Sequence, residues 1–93
     1  IRNNKKDTKR SKMFASAGQL RAARAFLGLS QTEVAAEAGI SLPTLKRLES
    51  EASGPQRANL SNVEAVVNVY ANKGIQFLFT DRDGAEGIQM RRT

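Results

Sequence analysis

Ninety-three residues are one domain's worth of chain, and 15 Lys/Arg against 9 Asp/Glu give a formal charge of +6. Cysteine and histidine are both absent, which excludes disulfides, Cys/His zinc sites, thiol nucleophiles and histidine general bases. With 40% apolar and 26% charged residues the chain reads as globular rather than disordered, and as a binding module rather than an enzyme.

The charge is uneven. Residues 1–12 carry Arg2, Lys5, Lys6, Lys9, Arg10 and Lys12 against Asp7, a net of +5, whereas residues 13–93 hold nine basic against eight acidic side chains. Residues 1–14 therefore read as a basic flexible arm that either tracks phosphates or acts as a solubilising tail. Because the sequence opens on Ile1 rather than Met, the natural start is expected upstream, with Met13 as an alternative initiator. No apolar run approaches the roughly 18–20 residues of a membrane span, and no secretory core lies near the start.

Four amphipathic helices and a terminal strand pair follow. Ser16 caps the first helix with Gln19 as its capping-box partner, and Leu20, Ala23, Arg24 and Leu27 share one face up to Gly28. Ser30 and Glu33 open the second helix, whose buried stripe is Val34, Ala35 and Ala38 and which ends at Gly39. Ser41 caps the third, with Pro43 in its first turn and Leu45 and Leu48 facing inward. Glu51–Leu60 is polar and broken by Gly54–Pro55, so it reads as a loop. Ser61 and Glu64 form a further capping box, and Val63, Val66, Val67 and Tyr70 recur at helical spacing up to Gly74. The valines also suit a strand, but the signals at both ends favour a helix. After Gly74 the period becomes two. Ile75, Phe77 and Phe79 alternate with Gln76, Leu78 and Thr80, Asp83–Gly84 signals a turn, and Ile88 and Met90 resume the alternation, which reads as a β-hairpin or as two strands that pair elsewhere. The aromatic and valine positions, Phe26 of the first helix among them, are expected in the core.

The informative stretch is Leu29–Glu49, LSQTEVAAEAGISLPTLKRLE. Two short capped helices meet across a turn at Gly39, where a positive φ is accessible, and Ile40 plugs the corner. Such a corner lets the second helix of the pair lie in a DNA major groove while the first crosses the backbone. The pattern L-S-Q-x-E-x-A-x-x-x-G-I-S-x-x-T-L-x-R-L-E resembles the phage-repressor/Cro-type (XRE-like) helix-turn-helix family, and the likeness extends over about residues 16–74. It is most similar to small bacterial regulators in which a strand pair follows the fourth helix.

With the basic arm over 1–14 read from its charge, the resemblance implies a mostly α fold, a four-helix domain over 15–74 followed by a β-hairpin over 75–92. It implies a DNA-binding transcriptional regulator, a repressor acting as a homodimer on double-stranded DNA in the cytoplasm at the nucleoid, with no catalytic residue, metal or cofactor. By position, Gln31 matches a glutamine that bonds a phosphate and braces the recognition helix. Ser41, Leu42, Pro43 and Thr44 occupy the start of that helix, where base and phosphate contacts originate. Arg47 matches a base-reaching position, Lys46 flanks it, and Arg57 and Asn59 match a loop that grips the backbone. Arg24 and Glu49 match a largely buried structural salt bridge. The family often has polar side chains where this chain has Leu42 and Pro43. Their apolar groups suit thymine methyls, which leaves hydrogen-bonded readout to Lys46 and Arg47.

Other groups carry plainer readings. Arg21 belongs to a solvated face, and Thr44 can equally complete the first turn with Ser41. Asp81, Asp83 and Glu86 lack the spacing of a calcium loop. Ile75, Phe77, Leu78 and Phe79 are candidate dimer contacts through the edge of the hairpin. A second reading keeps the helix-turn-helix shape but makes the chain a protein-binding antiactivator or antitoxin-like module, with another regulatory protein as partner. Its motive is the apolar start of the recognition helix.

Overall fold

Each of the first three helices begins where a serine side chain supplies the acceptor that the opening turn lacks. The structure, a computed structural model, describes residues 15–79 and 86–91. Helix α1 spans Ala17–Leu27, α2 spans Gln31–Ala38 and α3 spans Leu42–Leu48. Ser16 and Ser30 accept from the backbone N–H of Gln19 and Glu33, whose side chains reach back to complete two capping boxes. Ser41 accepts from Thr44 N–H at 3.2 Å, with Pro43 in the first turn where a missing N–H goes unnoticed. Gly39 closes α2 at φ 74°, so the chain turns sharply into α3 as the sequence predicts.

The polar loop contains a short 3-10 turn, Pro55–Arg57, and α4 then runs Leu60–Asn72. Here the expected cap is corrected. Asn59, not Ser61, caps α4: its Oδ1 accepts from Ser61 N–H at 2.8 Å and from Ser61 Oγ at 2.7 Å. Both residue types cap well, and the Asn59 carboxamide engages the Ser61 hydroxyl itself, which removes Ser61 from the capping role.

Strands β1 (Ile75–Phe79) and β2 (Glu86–Met90) pair antiparallel, with Ile75 opposite Met90 and Phe77 opposite Ile88. That register puts Ile75, Phe77, Ile88 and Met90 on one face, packed on the helices, while Gln76 and Gln89 point away. The expected turn at Asp83–Gly84, with Asp81, lies outside the described residues, as do the arm and Met13. Gly74 joins α4 to β1 at φ 97°, and a Cβ there would sit 2.7 Å from the Arg91 carbonyl oxygen. Only glycine fits.

The core is built from Leu20 and Ala23 of α1, Val34 and Ala35 of α2, Leu45 and Leu48 of α3, and Val63, Val66, Val69 and Tyr70 of α4, closed by Ile75. Tyr70 meets Phe77 edge to face, with ring centroids 6.2 Å apart. Burial pushes the Tyr70 phenol well above its ordinary range, and the charge of Glu49 adds to it. Phe26 departs from expectation: it is 54% exposed. It shares a side of α1 with Gln19, seven residues earlier. The hairpin covers Gln19, which is 3% exposed, but does not cover Phe26, roughly 10 Å further along the axis.

Candidate nucleic-acid interface

The outward face of α3 is held from behind by one buried carboxylate. Glu49, directly after the helix, is 4% exposed. Arg24 of α1 grips it in a fork, Nε to Oε2 at 2.8 Å and Nη2 to Oε1 at 2.9 Å, and Gln31 Nε2 of α2 donates to the same Oε1 at 3.0 Å. The hydrogen bond to Glu49 raises the pKa of Arg24 above its already high ordinary value, so the guanidinium stays charged. Arg24 also donates to the Leu29 carbonyl at 3.3 Å. The backbone end of the clamp is Arg21, whose Nη1 donates to the Glu49 carbonyl at 2.6 Å while Nη2 pairs with Glu51 at 2.7 Å. Arg21 is therefore more than a solvated side chain: it ties α1 to the C-terminal end of α3.

With Leu45 and Leu48 buried and the end clamped, the opposite face of α3 is fixed in direction. Pro43, Lys46 and Arg47, spaced i, i+3 and i+4, lie on it and are exposed. Leu42 is half-buried but stands outside the core cluster. Ser41 Oγ and Thr44 Oγ1 are 2.8 Å apart, so these two hydroxyls complete the first turn of α3.

Beside this face a cleft of about 270 Å³ opens between α3, the loop and the start of α4. Thr44 and Arg47 line one wall, Arg57, Asn59 and Asn62 the other, and no carboxylate is among the described residues that line it. The Oδ1 of Asn59 is engaged in capping, which leaves its amide N–H groups as donors. Four of the sequence-derived candidates thus converge on one basic, donor-rich hollow. Asn62 was not among them. The i, i+3 spacing from Asn59 would have found it, had the cap of α4 been assigned there rather than at Ser61.

The corner geometry, the buried Arg24–Glu49 clamp and the exposed third helix together describe one architecture. Compared with protein-family models, the chain matches helix-turn-helix, the XRE-type family, over residues 20–72. The chain belongs to the XRE-type helix-turn-helix family. As a member it is a DNA-binding regulator, from a family of regulatory rather than enzymatic domains. A search of curated proteins found no match. No helix among the described residues is long and apolar enough to cross a membrane, and no group of three His, Cys, Asp or Glu side chains among them is disposed to hold a metal ion.

The remaining candidates of this XRE-type chain lie on the hairpin. Ile75 is 4% exposed and Phe77 packs on Tyr70, so both are turned into the chain's own core. Leu78, 38% exposed, faces away from the helices, and the Phe79 side chain lies outside those described. Sequence reasoning missed the residue that docks this hairpin. Buried Gln19 donates from Nε2 to the carbonyls of Leu78 and Gly87, both at 2.9 Å, while its Oε1 accepts from Ser16 N–H. Ser16 Oγ adds a 2.9 Å bond to Glu86.

Proposed function

We propose that this regulator is a sequence-specific transcriptional repressor that acts as a homodimer, with α3 entering the major groove. One observation carries the reading: the exposed Pro43–Lys46–Arg47 face is continuous with a cleft that holds Arg47 and Arg57 and has no carboxylate among the described residues that line it. Lys46 and Arg47 reach base edges, Arg57, Asn59 and Asn62 hold the phosphate backbone beside them, and Gln31 supplies a donor at the start of α2 while bracing α3 through Glu49. Ser41 and Thr44 set the geometry of the leading turn.

Dimerisation is assigned to the hairpin. A two-stranded sheet leaves unpaired backbone edges, and isologous pairing there would bring Leu78 to the two-fold axis while Ile75 and Phe77 hold each strand to its own subunit. Half-sites would then lie about 34–36 Å apart. The workplace of such a dimer is the cytoplasm, on nucleoid DNA.

The test is an electrophoretic shift with the promoter of the protein's own gene against random duplex. Arg47→Glu abolishes the specific shift while circular dichroism stays native; unchanged operator affinity would sink the assignment of α3. The protein-binding alternative draws on the exposed Pro43 and half-buried Leu42. Salt separates the two, because phosphate-mediated binding loses orders of magnitude in affinity between about 50 and 200 mM salt and an apolar protein interface does not.

A further inference from the structure

The outward surface of α3 holds a restricted chemical inventory. From Leu42 to Leu48 there is no Asn, Gln, Asp or Glu, so no side chain pairs an acceptor with a donor as bidentate adenine readout requires. The hydroxyls of Ser41 and Thr44 are engaged with each other and with Thr44 N–H. Two kinds of group remain. Lys46 and Arg47 are donors, suited to guanine O6 and N7. Leu42 and Pro43 offer only carbon, at the leading end of the helix, and Leu42 is not drawn into the core.

Carbon at a base edge has one partner in the major groove, the C5-methyl group of a pyrimidine. Thymine and 5-methylcytosine carry that methyl at the same place. They differ in the neighbouring group, a carbonyl oxygen in one and an amine in the other, and neither Leu42 nor Pro43 has a polar side-chain atom with which to tell them apart. We infer that the leading end of α3 reads a pyrimidine C5-methyl group, in thymine and in 5-methylcytosine alike, so that operator binding responds to cytosine C5 methylation. The inference rests on the DNA-binding reading above. Four residues of helix separate Pro43 from Arg47, about 6 Å. The methyl-read position and the guanine read by Arg47 therefore lie within about two base-pair steps of 3.4 Å.

The full chain is used to enrich duplexes from a random pool, and an enriched duplex is resynthesised with single-atom changes. Thymine→deoxyuridine at one or two positions weakens binding about fourfold, the effect of losing one buried methyl-sized contact. Guanine→7-deazaguanine within two steps weakens it about tenfold, at the lower end of what a bidentate contact contributes. At the deoxyuridine-sensitive position, a 5-methylcytosine·guanine pair binds about fourfold more tightly than a cytosine·guanine pair, the same methyl-sized increment. Leu42→Ser and, independently, Pro43→Ala shrink that difference, with folding checked by circular dichroism. Equal binding of cytosine and 5-methylcytosine duplexes, or indifference to deoxyuridine at every thymine, overturns the inference and leaves DNA binding standing. A pool that does not enrich while random duplex is still bound overturns it too. Failure to bind any duplex defeats the regulator reading itself.

Discussion

Replacing Arg24 with methionine keeps the aliphatic bulk of the side chain and removes both arms of the fork that holds Glu49. The carboxylate, with only 3% of its side chain accessible, then faces the interior with the single 3.0 Å bond from Gln31. Breaking one side of a buried ion pair costs about 3–5 kcal/mol. For a chain of this size, whose whole stability is on the order of 5–15 kcal/mol, that is a large share. At about 4–8 °C per kcal/mol the melting temperature falls by roughly 12–40 °C. Urea unfolding followed by far-UV circular dichroism measures the loss as a shift of midpoint at constant slope. The double variant Arg24→Met/Glu49→Leu removes the stranded charge along with the pair and regains most of the stability, because a buried pair replaced by apolar groups is often close to neutral. If the double variant were as unstable as the single one, the loss would come from packing around α1, and the stranded-charge argument would be refuted.

Three further expectations follow from local geometry. Gln19→Leu deprives the Leu78 and Gly87 carbonyls and Ser16 N–H of their partner, destabilises the chain by about 1–3 kcal/mol and speeds amide exchange in β1 and β2 more than in α2; uniform acceleration would show that Gln19 does not dock the hairpin. Gly74→Ala meets both a positive φ and the Arg91 carbonyl, so its urea midpoint falls by the equivalent of about 1–3 kcal/mol, and an unchanged midpoint would contradict the close approach. Hydrogen bonds from the Ser30 backbone and hydroxyl hold the Glu33 carboxyl below its ordinary pKa. Its stabilising contribution is therefore complete above the unfolded-state pKa and is lost as pH falls through the lower folded value. A carbon-detected titration should find Glu33 titrating below glutamate in an unfolded peptide.

What the sequence determined by itself is whatever a few neighbouring residues settle. Ser16 with Gln19, Ser30 with Glu33, and Ser41 ahead of Pro43 mark helix starts because a cap is a contact over two or three residues, and Gly39 marks the corner because the positive φ is a property of that residue alone. The exposed spacing of Pro43, Lys46 and Arg47 follows from helical period once α3 is placed. The same local logic misplaced the cap of α4, where Asn59 and Ser61 are near equals and the contact between them decides.

Tertiary structure decided everything that joins distant segments. Gln19 reaches residues 59 and 68 positions away, and Arg21 reaches the Glu49 carbonyl 28 positions on. Neither partnership leaves a trace in periodicity, because burial of a polar side chain depends on which backbone carbonyls the folded chain brings to it. Phe26 stays exposed for the same reason: hydrophobicity favours covering it, but only the position of the hairpin along α1 determines what is covered. The cleft that gathers Arg47, Arg57, Asn59 and Asn62 likewise exists only where α3 and the start of α4 meet.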